Sequence, residues 1–168
     1  MNIRRIGLVI GLALPMMLVG IPAQAAEPSA HDIAFMKQAH QVNLAEIAAG
    51  QVAWKKTTDP VVKNVAATLM RNHIHMDAAL SQAARTLHID LPLEPNSEQQ
   101  ELTARYEATA AGAFDAYFIS TQVTAHQETQ KLFSGQVAKG SDPAVSELAE
   151  KATPIIADQL EMLREAAE

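Results

Sequence analysis

The chain has 168 residues, no cysteine, and a net charge of −6 from 13 basic and 19 acidic side chains. Disulfides, thiolate metal sites, cysteine nucleophiles and lipid-acylated cysteines are therefore excluded. The negative balance and the lack of a basic patch argue against nucleic acid and against anionic lipid as partners.

Arg4 and Arg5 form a short positive region, an apolar run covers Ile6 to Ile21, and Ala23-Gln24-Ala25 is a small-x-small processing site. The run is interrupted by Pro15 and is short for a membrane span of about 20 residues. The pattern predicts a signal peptide over residues 1–25, cleaved after Ala25, and a periplasmic mature chain with no transmembrane segment. Losing Arg4 and Arg5 takes the net charge to −8 and leaves 143 residues, enough for one domain with its own core over residues 26–168.

The rest of the chain reads as helices separated by proline and glycine. A first helix is predicted from about Asp32 to Lys56. Asp59 caps a second, with Pro60 at the first helical position where its missing N–H costs nothing, and this helix runs to about His88. Leu91-Pro92-Leu93-Glu94-Pro95 is a break. Ser97 with Gln100 reads as a capping box opening a short helix to about Ala110. After Gly112 a long helix carries Phe114 to Lys139 and stops at Gly140. Asp142-Pro143 then repeats the earlier cap, and Pro154 should kink the last helix.

A longer echo accompanies the repeated cap. Gly50-Gln51-Val52-Ala53 precedes Asp59-Pro60, and Gly135-Gln136-Val137-Ala138 precedes Asp142-Pro143. Two related helical hairpins are expected, joined by a connection from about Ile89 to Gly112. The fold class is all-α: a ferritin-like four-helix bundle with a long crossover containing a short extra helix. Alternating strand patterns are absent, which speaks against a membrane β-barrel.

At about 100° per residue, several polar side chains fall on apolar faces. Glu46 lies nine positions after Lys37, on the opposite side of the first helix and in the sector of Phe35, Ala39, Val42 and Ala49. His73 sits within the stripe Val65, Leu69, Met76, Leu80, with Asp77 beside it at i+4, while His75 points away. Asp115 and His126 share the inner face of Phe114, Phe118 and Phe133, and Gln159 lies on the inner face of the last helix. His40 borders the inner face of its helix; His31 and His88 read as solvated.

Buried groups of this kind must be paired, protonated or bound to a metal, since an unpaired buried carboxylate costs several kcal/mol. One reading is a Glu/Asp/His network that fixes helix register. The other is a divalent metal site drawn from Glu46, His73, Asp77, Asp115 and His126, whose nitrogen and oxygen donors suit iron, manganese or zinc. Met70-x-x-His73-x-x-Met76 could add thioethers for copper, although such residues at helical spacing are usually core filler. No Glu-x-x-His occurs, so the di-iron carboxylate signature is missing. Serine-nucleophile motifs, phosphate-cradling glycine loops and His-Glu-x-x-His are absent as well. If the helical faces are right, Glu46, His73 and one of Asp115 and His126 are buried in one layer. Asp115 and His126, eleven residues and about 16 Å apart along one helix, cannot both join it.

Taken together, several segments resemble the domain-of-unknown-function 4142 family: Phe35-Met36-x-x-Ala39 through Leu44-Ala45-Glu46, Asp59-Pro60-x-Val62-Lys63, and Asn72-His73 with Asp77. Phe114-Asp115-x-x-Phe118, His126-Gln127-Glu128, Leu148-Ala149 and Thr153-Pro154 continue the resemblance, which spans about Ala34 to Leu163. It implies an exported bacterial ferritin-like bundle, of a kind often described as an outer-membrane protein, with Glu46, His73, Asp115 and His126 at recurring polar positions. It implies no activity. The chain departs from the family pattern at Asn72, where Asp is common, and at Gln159, where a His is expected. The functional expectation is first a non-enzymatic envelope stress or interaction module. The alternative is a metal-binding ferritin-like protein holding iron, manganese, zinc or copper inside the bundle.

Overall fold

The computed structural model describes residues 27–168; the signal-peptide reading over residues 1–25 lies outside the described residues. Five helices and no strand occur among the described residues: α1 (Ala30–Lys56), α2 (Pro60–Thr86), α3 (Ser97–Ala108), α4 (Ala111–Lys139) and α5 (Pro143–Glu165). None is long and apolar enough to cross a membrane.

The helix ends follow from local chemistry. Asp59 and Asp142 each accept from two backbone N–H groups of the helix they open, and each is followed by proline in the first turn. At α1, Ser29 and Asp32 form a reciprocal capping box, so the helix begins earlier than Asp32. The box expected at Ser97 and Gln100 stands one residue earlier, on Asn96 and Gln99, while the Gln100 amide donates to the Pro95 carbonyl at 2.7 Å. α2 stops at Thr86, and His88 takes a left-handed conformation with φ 54° beyond its end. α5 runs on through Pro154 to Glu165.

The four long helices close a ring: α1 packs on α2 and α4, and α5 packs on α4 and α2. Their contacts fix the directions. His40 meets Asp77 and Asn43 meets His73, so α1 and α2 are antiparallel. Asp32 meets Gln136, and the Phe35 and Phe133 rings lie edge to face at 5.0 Å, so α1 and α4 are antiparallel as well. α2 and α4 therefore both finish at the end of the bundle where α1 begins. The connection between them must climb the length of a 27-residue helix, about 40 Å. α3 occupies this climb along α1, tied near its start by Gln41 donating to the Glu94 carbonyl. At the other end Lys56 donates to the Glu107 and Thr109 carbonyls at 2.6 and 2.8 Å.

Two apolar clusters fill the interior. One gathers Ala49, Ala53, Val65, Leu69, Phe114, Phe118, Leu163 and, from α3, Tyr106. The other gathers Phe35, Met36, Ala39, Leu80, Phe133, Val145, Ala152 and Ile156. Between them the chain inserts buried polar residues on every long helix: Asn43 and Glu46 on α1, His73 on α2, Gln122 and His126 on α4, Gln159 on α5. The apolar period is thus interrupted at the same height four times, which makes a polar layer across the middle of the bundle.

A separate polar knot closes one end. Buried Asp32 accepts from the Ser29 and Ser141 hydroxyls and the Gln136 amide, each at 2.6 Å, and from the backbone N–H groups of Ser29, Ser141 and Asp142. Burial pushes its carboxyl up, but these donors together outweigh burial and hold it well below the ordinary 3.8.

Candidate metal centre

The mid-bundle layer brings Glu46, His73 and His126 together, with one carboxylate oxygen and one nitrogen from each ring all within 4.8 Å of one another. They come from three helices and are 5 %, 1 % and 1 % exposed, so solvent does not satisfy them. The two imidazole rings meet edge to face at 5.8 Å.

Each ring is held by its Nδ1. His126 Nδ1 faces the Gln122 backbone carbonyl at 3.0 Å and must donate to it. His73 Nδ1 lies 2.9 Å from Asn43 Oδ1. The Asn43 amide nitrogen faces Asp77 Oδ1 at 3.4 Å, which turns its oxygen toward His73 and makes His73 the donor there too. Asp77 is in turn bonded to His40 Nδ1 at 2.6 Å. With Nδ1–H committed in both rings, both Nε2 atoms carry lone pairs, and neither has a hydrogen-bond partner. Glu46 receives one donor: the Gln122 amide, with its nitrogen toward the carboxylate, reaches Oε2 at 2.7 Å.

These surroundings set the charges. Burial pushes the Glu46 carboxyl up to about 8, against the smaller opposing effect of Gln122. Burial likewise pushes His73 down to about 3, helped by His126, and His126 down to about 4. The layer by itself thus prefers a protonated carboxyl and two neutral rings. A divalent cation needs deprotonated ligands: the rings are already in the required form, and the cation's field would draw the proton from Glu46.

Two of the five sequence-predicted donors stand outside this cluster. Asp77 is one turn along α2 from His73, but its carboxylate reaches across to His40 and Asn43 on α1 and acts on His73 only through Asn43. Asp115 lies three turns from His126 on α4, is half-buried, and leaves its Oδ1 without a partner. The copper variant gains nothing from the methionines, since Met76 packs with the cluster of Phe35 and Leu80 and Met70 lies against Gly50. Asn43 and Gln122 were not singled out in the sequence. Their spacing carried the signal, since Asn43 is three residues before Glu46 and Gln122 four before His126, each on the same helical face as its partner.

A groove of about 1140 Å³ runs between α1, α3 and α4, and Glu46, Tyr106 and Gln122 lie along its floor. It is a route from the surface to the carboxylate side of the cluster.

The molecule is thus an all-α helical bundle with a buried two-histidine, one-carboxylate layer. Residues 20–166 match a family described as a domain of unknown function, DUF4142, and the chain belongs to that family. No curated protein matches it. Among solved structures it is similar to a DUF305 fragment from Deinococcus radiodurans, with a TM-score of 0.75 at 10% identity, covering 84% of this chain and 98% of that one. At that identity the likeness bears on the fold alone.

Proposed function

We propose that this is an exported, periplasmic metal-binding protein of ferritin-like architecture, holding one divalent ion on Glu46, His73 and His126. The observation that carries the reading is the pair of buried, partnerless Nε2 lone pairs beside a buried carboxylate. A network serving only helix register would join these groups by hydrogen bonds, yet no bond links Glu46 to either ring although their atoms lie within 4.8 Å. Each ring instead spends its one donor away from the cluster, on Asn43 or on a backbone carbonyl. That is the outer-shell arrangement that orients histidine ligands.

Two imidazoles and one carboxylate suit iron(II), manganese, zinc or copper, and three protein donors leave coordination positions for an exchangeable ligand. The up-down-down-up order and the long crossover carrying α3 support the ferritin-like assignment. The absence of Glu-x-x-His favours a single ion over a paired-metal centre. Elemental analysis of protein purified from a periplasmic fraction without chelator should find close to one metal per chain, and added metal should raise the melting temperature. A metal-free protein indifferent to added manganese, iron(II), zinc and copper would return the mid-layer to a structural role and leave an interaction module as the reading. Mass spectrometry of the same sample should give an N-terminus at Ala26.

A further inference from the structure

The cluster takes donors from α1, α2 and α4, and the fourth long helix also sends a polar side chain into the same layer. Gln159 on α5 is 1 % exposed, and neither its amide nitrogen nor its amide oxygen has a hydrogen-bond partner. It is the one residue among those described whose whole side-chain amide is buried and unsatisfied. Its neighbour is His126, whose imidazole feels the amide; by geometry His126 Nε2 and both Gln159 side-chain atoms have no hydrogen-bond partner. A buried amide left in this state costs several kcal/mol relative to an apolar side chain of similar size. Helix α5 has apolar residues immediately around it, Ile156, Leu160 and Leu163, so an apolar residue would complete the stripe.

We infer that the Gln159 amide oxygen is the fourth protein donor of the centre, so that each long helix contributes one ligand to one ion. This rests on the metal reading above. An amide oxygen is a neutral, hard donor with two lone pairs, and its place beside His126 puts it at the edge of the cluster. The resulting set, two nitrogens and two oxygens with a single formal negative charge, binds an ion that must also accept a neutral oxygen, which favours manganese, iron(II) or zinc over copper(I). With the amide oxygen directed to the ion, its nitrogen is turned away from it, so the ligand needs no deprotonation.

Cobalt(II) binding to the mature full-length protein tests this, because its visible spectrum reports coordination number and donor set. The wild type, Gln159→Leu and Gln159→Glu are compared, with helical circular dichroism on each. Gln159→Leu should weaken cobalt(II) and zinc binding by about tenfold or more and change the cobalt(II) band pattern. In chelator it should melt no lower than wild type, because it removes two unsatisfied buried atoms. Gln159→Glu keeps an oxygen donor in nearly the same shape and adds a charge, and should bind at least as tightly as wild type with the wild-type band pattern retained. If Gln159→Leu and wild type share affinity and spectrum, the inference is overturned while the three-ligand centre stands. If Gln159→Leu fails to fold, weak binding by Gln159→Glu overturns it equally. A wild type that takes up no cobalt(II) overturns both this inference and the metal reading beneath it.

Discussion

Replacing Glu46 by glutamine separates a structural carboxyl from one retained for binding. The substitution preserves shape and keeps an oxygen acceptor for the Gln122 amide, but removes the ionisable group. Burial raises this carboxyl from 4.5 to about 8, so the native protein at pH 7 holds a proton that the unfolded chain releases. The sign follows from linkage: a group with a raised folded pKa gives its full contribution below 4.5 and loses it as pH rises through about 8. At pH 7 the unfolded carboxyl is about 2.5 pH units past its midpoint. At about 1.4 kcal/mol per pH unit the ionisable side chain then costs the metal-free fold about 3 kcal/mol. Glu46→Gln should accordingly stabilise the protein in chelator by about 3 kcal/mol at pH 7. In a domain of this size that is a rise of about 6–12 °C in melting temperature. The gain should shrink toward nothing near pH 4.5 and be largest at pH 8. Zinc or manganese should then raise the wild-type melting temperature and leave the variant's nearly unchanged. Differential scanning calorimetry across this pH range, with and without metal, reads all of it. A variant that melts below wild type at pH 7 in chelator, or a difference that does not vary with pH, would refute the reasoning and make Glu46 part of a structural network.

Other consequences follow from the same contacts. Asn43→Ala and Asp77→Asn both break the chain that fixes the His73 ring, and each should weaken zinc affinity by about 10–100-fold in calorimetric titration while the helical content is kept. Asp32→Asn places an amide nitrogen among the donors around that position and should destabilise the protein by about 2–3 kcal/mol in urea unfolding at pH 7. Because the Asp32 carboxyl is held below its ordinary 3.8, its contribution is present above that value and lost as pH falls below it, so the variant should also show a flatter acid limb. Gly50 faces α2 so closely that an added Cβ would lie 2.9 Å from Met70 Cβ and 3.0 Å from the Ala66 carbonyl oxygen. Gly50→Ala should therefore cost about 1–3 kcal/mol by thermal melting, in spite of the helix propensity it gains.

What the sequence disclosed, and what it hid, divides along physical lines. Helix limits marked by Asp-Pro could be read because capping is local, and Glu46 could be assigned inward because Lys37 fixes the wet side of its helix. The cap of α3 falls one residue before the expected one because Asn96 and Ser97 are adjacent, equally good cap residues; the reciprocal Asn96–Gln99 bonds show which one the chain uses. Asp77 shows the limit of periodicity. Its position beside His73 on α2 was right, but a side chain bridging to another helix answers to that helix, and His40 and Asn43 are 37 and 34 residues away. Gln122 passed unnoticed because a neutral amide carries no chemical flag until a carboxylate appears opposite it. The knot at Asp32 depends on a loop 109 residues further on, which no local pattern encodes.

Two buried carboxylates in this one chain meet opposite fates, and the contrast bears on function. Asp32 is surrounded by hydroxyl, amide and backbone donors and is held ionised; it is a structural acid, paired in full by the fold that buries it. Glu46 is buried as deeply, receives one amide donor, and is driven toward its neutral form. The fold can evidently satisfy a carboxylate where stability is at stake. At mid-height it instead sets a weakly supported carboxyl beside two imidazoles whose donors are turned outward. Asn43 and Gln122 hold the layer's groups in place: the Asn43 oxygen takes the His73 Nδ1 proton, which leaves the Nε2 lone pair free, and the Gln122 amide bonds the Glu46 carboxyl. An arrangement that orients both rings and leaves their Nε2 atoms unsatisfied beside a carboxyl is what the proposed divalent cation would need, since it takes one carboxylate and two neutral nitrogen donors at once.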